Sequence, residues 1–498
     1  MIRPPNVTAP AFDAFLAESA AAVGAAWVKI HDEDVHPYGR VMVPFEDDVH
    51  MPSAAVCPQS LDEVRAVVAA AQAHSVPLWP TSTGRNMGYG SSAVAVRGTV
   101  VLDMRRMNRI TDFDPELGTV VVEPGVTYQA LHDFLEAGGH DFWIDFPGPG
   151  PLVSPMGNTL ERGHGMTPYG DHFANSCGYE ILLADGTLFR TGLGGISNTT
   201  SWQANRHGIG PSLDGIFTQS NFGIVTKMGL WLMPAPPAHK TVLAHWPNRD
   251  DIVKLVDVIR SLRVDGTIAN EGVLGNATIF LAAAKRRSAV FAGSGALPPD
   301  LALTEMRAVG LGAWNYVFSL YGRPDRVESD WLAAQRRLED SGATLIPDVR
   351  DGTQINELTL KSFALFNWVG GNGLAWFAPV APARGRDVKR QFDLAESILS
   401  KYDLDFMTGS QFGTREVLNV IPLIYDRRTP GRIDQVRVCF NELIDAFGRA
   451  GYGFYRTGIG FMDRVAALQG TAREDVNHRL KRALDPKGIL APGKSGIW

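Results

Sequence analysis

Residues 80 to 90, PTSTGRNMGYG, hold the densest set of side chains and glycines suited to chemistry in this chain. They follow Val76, Pro77, Leu78 and Trp79, an apolar run that reads as a strand end. Gly84, Gly88 and Gly90 permit positive φ or close approach of a ligand to the main chain, and successive N–H groups in such a loop form an anion-binding nest. A pyrophosphate is its natural guest; an ordinary glycine-rich turn is the competing reading. The loop is not the G-x-G-x-x-G turn of a Rossmann dinucleotide unit, and the chain has no G-x-x-x-x-G-K-[ST] phosphate loop.

The elements around the loop give it a frame. Ser60 is a candidate N-cap with Glu63 three residues on, and Leu61, Val64, Val67, Val68 and Ala71 recur at helical spacing. After the loop, GTVVLDM (98–104) reads as a buried strand. Farther on, β-branched runs at 119–122, 179–183 and 224–232 alternate with glycine turns and a helix at 127–137, which suggests a second α+β subdomain. Residues 10–30 are expected to form one Ala-rich helix, and 31–52 an irregular acidic, Pro-containing connection.

PAPPAHK (234–240) looks like a domain boundary. Beyond it, Ile252, Leu255, Val256, Ile259 and Leu262 share one helical face. Strands, among them 370–382, and a helix near 385–401 suggest a second domain with a mixed sheet covered by helices. The expected division is 1–236, completed by 451–498, and 237–450.

Longer stretches identify a family. PLWPTSTGRNMGYGSS (77–92), LDMRRMNRI (102–110), VVEPGVTYQALHDFLE (121–136), GNTLERGHGMTPYGDH (157–172), FTQSNFGIVTKMGLWLMP (217–234) and LDPKGILAPGKSGIW (484–498) resemble the flavoprotein family of vanillyl-alcohol oxidase and the flavin subunit of p-cresol methylhydroxylase. The resemblance spans nearly the whole chain in order. It implies an α+β fold: a two-subdomain FAD-binding domain of the p-cresol methylhydroxylase type with an inserted α/β cap.

What the resemblance implies for the site can be carried residue by residue. The FAD pyrophosphate should lie against Ser82, Thr83, Gly84, Arg85 and Asn86, flanked by Pro80, Met87 and Gly88. Gly157, Asn158, Arg162, Gly163, Thr167, Gly170, Asp171 and His172 should line the flavin, with His172 the histidine expected to touch cofactor or substrate. Gly223, Ile224 and Val225 should support the adenine side, and Lys494 should approach the flavin from the C-terminus. A cation there would stabilise reduced, anionic flavin.

At the substrate end the family places two tyrosines and an arginine, here Tyr89, Tyr455 and Arg456. An arginine keeps its charge, and two phenolic hydroxyls can donate to the same oxyanion. The resemblance therefore implies para-substituted phenols held as phenolates, hydride transfer from the benzylic carbon to flavin N5, and a p-quinone methide. Trp368, Trp376, Phe366 and Phe377 are candidates for the substrate wall or for plain core, and His164 and His207 read as scaffold.

The chain departs from the family twice. Where relatives carry the residue that bonds the flavin covalently, Leu418, Asn419 or Val420 stands, with Tyr425 the nearest alternative anchor; noncovalent FAD is expected. Where oxidase relatives place an aspartate near N5, Gly148, Pro149 and Gly150 stand, and Asp145 reads as structural. This favours a dehydrogenase passing electrons to a c-type cytochrome or another acceptor over a peroxide-producing oxidase. A silent FAD-binding electron-transfer subunit is the reading from another class, and a hydroxy-acid or sugar oxidase is disfavoured by the two tyrosines and arginine.

Composition closes off other functions. With 498 residues, 45% hydrophobic and 20% charged, the chain is globular, and its net charge of -6 argues against nucleic-acid or anionic-membrane partners. Cys57, Cys177 and Cys439 are too few and too scattered for a disulfide framework or metal site, so no metal is expected. The N-terminus lacks a signal-like apolar stretch, which favours the cytoplasm, although relatives serving periplasmic cytochromes are exported. A homodimer or higher homo-oligomer is expected.

Overall fold

The computed structural model describes residues 2–349 and 364–498. Ser60 caps the helix Leu61–His74, its hydroxyl accepting from the Glu63 N–H at 3.3 Å, while the Glu63 carboxylate accepts from the Gln59 N–H at 2.8 Å. Val64, Val67, Val68 and Ala71 are buried on the face their spacing predicts. This helix is the crossover that parallel strands require. It links Ala55–Val56 to Leu78–Thr81, which lie on either side of Val100–Asp103 in a four-stranded sheet.

Two expectations for the N-terminal region are corrected. The first helix stops at Val23, because Gly24 takes φ +87° and turns the chain into the short strand Val28–Lys29. The expected irregular connection contains a helix, Asp32–Gly39, with Pro37 inside it. Asp32, Glu33 and Asp34 complement the positive end of its dipole, and Val35 and Tyr38 anchor it in the interior.

Five antiparallel strands form the next layer, in the order Ile110–Asp114, Thr119–Val122, Ile224–Trp231, Ser176–Leu182 and Leu188–Arg190. The helix Tyr128–Ala137, capped by Thr127, packs Leu131 and Leu135 into the same core as Val120, Val122 and Met228.

An eight-stranded sheet begins just beyond the Pro-rich run, at Ala238–Trp246. Every pairing in it is antiparallel, which corrects the expected mixed sheet. A three-residue turn joining Gly409–Phe412 to Glu416–Asp426 permits only an antiparallel pair. The helices Ile252–Val264, Gly385–Lys401 and Arg432–Arg449 cover it. Its last strand is Phe454–Arg456, paired with Asn372–Pro382, so the segment carrying Tyr455 and Arg456 is an edge of this sheet.

The tail is tied down by polar groups. Buried Lys481 pairs with Asp485 at 2.8 Å and donates to the carbonyls of Asn221 (2.9 Å) and Leu490 (2.7 Å). Asn221 in turn donates to the carbonyls of Ala491 and Ile497. These bonds bring Lys494 into the interior, where it is 9% exposed. No helix among the described residues is long and apolar enough to cross a membrane.

Candidate active site

A cavity of about 590 Å³ runs between the three sheets. One end is the 80–90 loop. Gly84, Gly88 and Gly90 have φ of +67°, +72° and +130°, the backbone the loop needs and other residues rarely adopt. Among the described residues nothing accepts from the amide N–H groups of residues 82 to 88, so they are available to an anion. A Cβ on Gly84 or Gly157 would run into Ser92 or Ser82. The opposite bank is the short helix Pro155–Leu160, held by Ser154, whose N–H donates to Thr83 Oγ1 at 3.1 Å and whose hydroxyl donates to the Pro124 carbonyl at 2.7 Å. Unpartnered N–H groups, positive-φ glycines and a long cavity suit a dinucleotide, and the residues present fit FAD.

Where the loop closes, its Tyr89 meets Tyr455 and Arg456. The two tyrosine hydroxyls are 3.5 Å apart, and the Arg456 guanidinium carbon lies 4.1 Å from the Tyr89 ring centre. Arg456 also donates to the Asn86 side chain, which joins the clamp to the loop. Burial pushes the Tyr89 hydroxyl well above its ordinary value, and neighbouring Tyr455 adds to that rise, so it stays protonated as a donor. Burial works against the Arg456 charge, yet Tyr455, Tyr89 and Glu161 outweigh it and the net shift is upward.

Glu161, which the sequence reading missed, sits between the site's two deep cations. It pairs with Lys494, and its carboxylate is 4.0 Å from Arg456 Nε. Burial pushes its pKa up, but Lys494 and Arg456 reverse that and hold it ionised, below the usual carboxylate range. Nothing in the RGHG pattern beside it marks it as different from a surface glutamate. Gln219 supports the clamp from behind, donating to the Tyr455 carbonyl at 2.9 Å.

Pro80, Ser82, Thr83, Gly84, Arg85, Asn86, Met87, Gly157, Asn158, Gly163, Gly223, Ile224, Val225, Lys494 and the three clamp residues all line the cavity. Six of the expected residues do not. Gly88 is backed by Trp376, whose ring lies 2.5 Å from where its Cβ would be. Arg162 turns away to donate to Thr218 Oγ1 at 3.0 Å. Gly170 and Asp171 belong to the turn that closes this hairpin, Asp171 accepting from the Ala174 N–H at 2.8 Å.

Thr167 and His172 are held behind the wall by Asp145. Its carboxylate accepts from the N–H groups of Met166 (3.0 Å) and Thr167 (2.5 Å) and lies 3.3 Å from His172 Nε2, while His172 Nδ1 bonds to Asn158. His172 therefore orients Asn158 and does not face the cavity. Asp145 has the structural place read for it. Of the four aromatic wall candidates only Trp376 lines the cavity, donating to the Met87 carbonyl at 3.0 Å. Trp368 bonds Asp405, and Phe377 lies in the cap core. His207 is exposed, and His164 lines the wall.

Among the described residues the cap-side wall is Val273, Ile279, Leu365, Leu374, Trp376, Gly409, Gln411 and Val420, together with Tyr455 and Arg456 of the edge strand. Asn419 points to Ser410 and Gln391, and Tyr425 donates to the Met42 carbonyl, away from the cavity.

Comparison with known proteins identifies the family and the fold. A family described as FAD binding domain matches residues 52–192. The 4-cresol dehydrogenase [hydroxylating] flavoprotein subunit of Pseudomonas putida is 39% identical over all of this chain and 98% of its own length. Among solved structures, p-cresol methylhydroxylase with substrate bound superposes with a TM-score of 0.96 at 37% identity, covering 100% of this chain and 99% of that one. The 4-ethylphenol oxidase of Gulosibacter chungangensis, in complex with isoeugenol, gives 0.95 at 31% identity with the same coverage.

Proposed function

The chain belongs to the FAD-dependent oxidoreductase family of the 4-cresol dehydrogenase flavoprotein subunit, and from that premise we propose that it oxidises para-alkylated or para-hydroxyalkylated phenols at the benzylic carbon. The supporting observation is the clamp: two tyrosine hydroxyls 3.5 Å apart with an arginine against one ring, in a cavity whose described cap-side residues are largely apolar.

Residues 82 to 87, Gly157, Asn158 and 223 to 225 would hold FAD, which supplies the hydride acceptor when bound. Arg456 supplies fixed positive charge to the phenol oxygen, and Tyr89 and Tyr455 donate to it, so the ring enters the reaction as a phenolate. The ionised oxygen pushes electron density to the para position and makes the benzylic C–H bond a better hydride donor. Loss of that hydride leaves a p-quinone methide. Lys494 places a second cation in the cavity, and Glu161 holds it there.

We assign the flavin as noncovalently bound: at the expected attachment position Val420 lines the cavity with no nucleophile to offer, and Tyr425 donates to the Met42 carbonyl away from it. Gly148 and Pro149 line the cavity where oxidase relatives are expected to carry an aspartate, which favours a c-type cytochrome as electron acceptor over oxygen. The division into a FAD-binding part and a cap inserted at 237–450 belongs to the same proposal, with the strand Phe454–Arg456 beyond that boundary still paired to the cap sheet.

The test is anaerobic mixing of holoenzyme with 4-methylphenol or 4-ethylphenol. Bleaching of the flavin absorbance is expected; a flavin that stays oxidised across a panel of para-alkylphenols would leave a silent electron-transfer subunit as the reading. Slow recolouring on admitting air, with rapid recolouring by cytochrome c, is the outcome expected of a dehydrogenase.

A further inference from the structure

Hydration of a quinone methide needs a group that takes a proton from water, and the expected loop aspartate is missing. The cavity wall supplies another candidate. His164 lines the cavity and packs edge-on against Tyr455, ring centres 5.9 Å apart. Its Nδ1 is 3.1 Å from Glu271 Oε1, and the two side chains are 17% and 11% exposed. Among the described residues no group bonds to His164 Nε2, and the second Glu271 oxygen, buried, has no partner.

The pair is assembled from two segments far apart in the chain. His164 follows Gly163 on the hairpin that ends at Asp171, whereas Glu271 precedes the strand Val273–Asn276 of the eight-stranded sheet. Neighbouring polar side chains clamp the two together: Asn270 donates to the Met166 carbonyl at 2.8 Å, and Gln411 to the Gly165 carbonyl at 3.1 Å. The Glu271 carbonyl accepts from the Tyr316 hydroxyl at 3.1 Å. A carboxylate on Nδ1 fixes the tautomer that leaves Nε2 as the acceptor, the arrangement that makes an imidazole a directed base.

We propose that His164 is a catalytic base for the water-addition step and Glu271 its positioning residue, an assignment that rests on the phenol-oxidation reading above. The water oxygen forms a bond to the exocyclic carbon of the quinone methide, and one water proton passes to His164 Nε2. The electron pair of the exocyclic double bond returns to the ring, restoring aromaticity and leaving the charge on the phenolate oxygen between Arg456, Tyr89 and Tyr455. The product is the 4-hydroxybenzylic alcohol, and the imidazolium, paired with Glu271, releases its proton to the phenolate as product leaves. Burial pulls the His164 pKa down, but Glu271 and more distant Asp171 and Glu416 reverse this and raise it, as a proton-accepting imidazole requires.

The experiment is anaerobic rapid-scan mixing of FAD-loaded wild type, His164→Asn and Glu271→Gln with 4-methylphenol, whose quinone methide has no β-hydrogen to lose. Flavin bleaching reports hydride loss, and decay of the quinone methide absorbance reports hydration. In His164→Asn the ratio of decay rate to bleaching rate should fall about 10²-fold or more, the low end of what a general base contributes. In Glu271→Gln it should fall less, and a downfield imidazole proton resonance present in the wild type should disappear. An unchanged ratio in both variants overturns the assignment, as does parallel loss of both rates, which is the mark of a scaffold pair. Wild-type flavin that fails to bleach would instead sink the parent reading; bleaching with an unchanged ratio sinks only this one.

Discussion

The Glu161 carboxylate is bound to Lys494, a residue 333 positions away that reaches the cavity only because the C-terminal tail is pinned there. One carboxylate thus holds two cations, Lys494 and Arg456, side by side on the wall of a single cavity. Replacing Glu161 by Gln leaves both cations uncompensated. The flavin midpoint potential should then rise, and a bound para-substituted phenol should ionise at lower pH, read by its ultraviolet difference spectrum. A potential equal to that of the wild type would show that Lys494 does not face the flavin.

Arg456 is the fixed charge of the clamp. Arg456→Ala should lower kcat/KM for a para-alkylphenol about 10²- to 10³-fold, the scale seen when a preorganised oxyanion stabiliser is removed. Lysine should rescue it only partly, because a point charge cannot keep the contact to Asn86 and the Tyr89 face together. Steady-state kinetics of the two variants decides this.

Tyr89→Phe and Tyr455→Phe each remove one donor to the phenolate. Each should weaken binding of an ionised inhibitor such as a 4-nitrophenolate by about 1.5–3 kcal/mol, the usual cost of a hydrogen bond to a charged group. Equal affinity in both variants, measured by titration, would place the phenol oxygen elsewhere.

Asp145 ties stability to pH. Burial raises its pKa, but its bonds to His172 and Thr167 more than offset this, so the folded value lies below the ordinary one. Its stabilisation is therefore complete above about pH 4, the unfolded value, and is lost as pH falls through the lower folded value. Asp145→Ala should cost about 3–5 kcal/mol at neutral pH by leaving its partners unpaired. Its melting temperature should also lose less than the wild type's on acidification.

If FAD is held without a covalent bond, acid precipitation of the holoenzyme should leave the flavin in the supernatant. Gly84→Ala should release it at neutral pH, because φ +67° costs a side chain about 1–2 kcal/mol and the new methyl meets Ser92. Flavin fluorescence of supernatant and pellet separates the outcomes.

Local sequence determined what depends on neighbours a few residues apart: the Ser60-capped helix, the buried strands at 100–103 and 119–122, the glycine nest, and the apolar face of Ile252–Val264. Even there, reading stopped where a long-range contact overrode the local signal, as when burial of Val35 and Tyr38 stabilised a helix containing Pro37. The family resemblance marked Tyr89, Tyr455 and Arg456. Only the tertiary structure decided that His172 faces Asp145 and not the cavity, that Glu161 bridges two cations, and that His164 meets Glu271 across two sheets. Each of these pairs joins residues that no helical or strand period relates, and the charge and burial that set their chemistry exist only once the sheets have closed around the cavity.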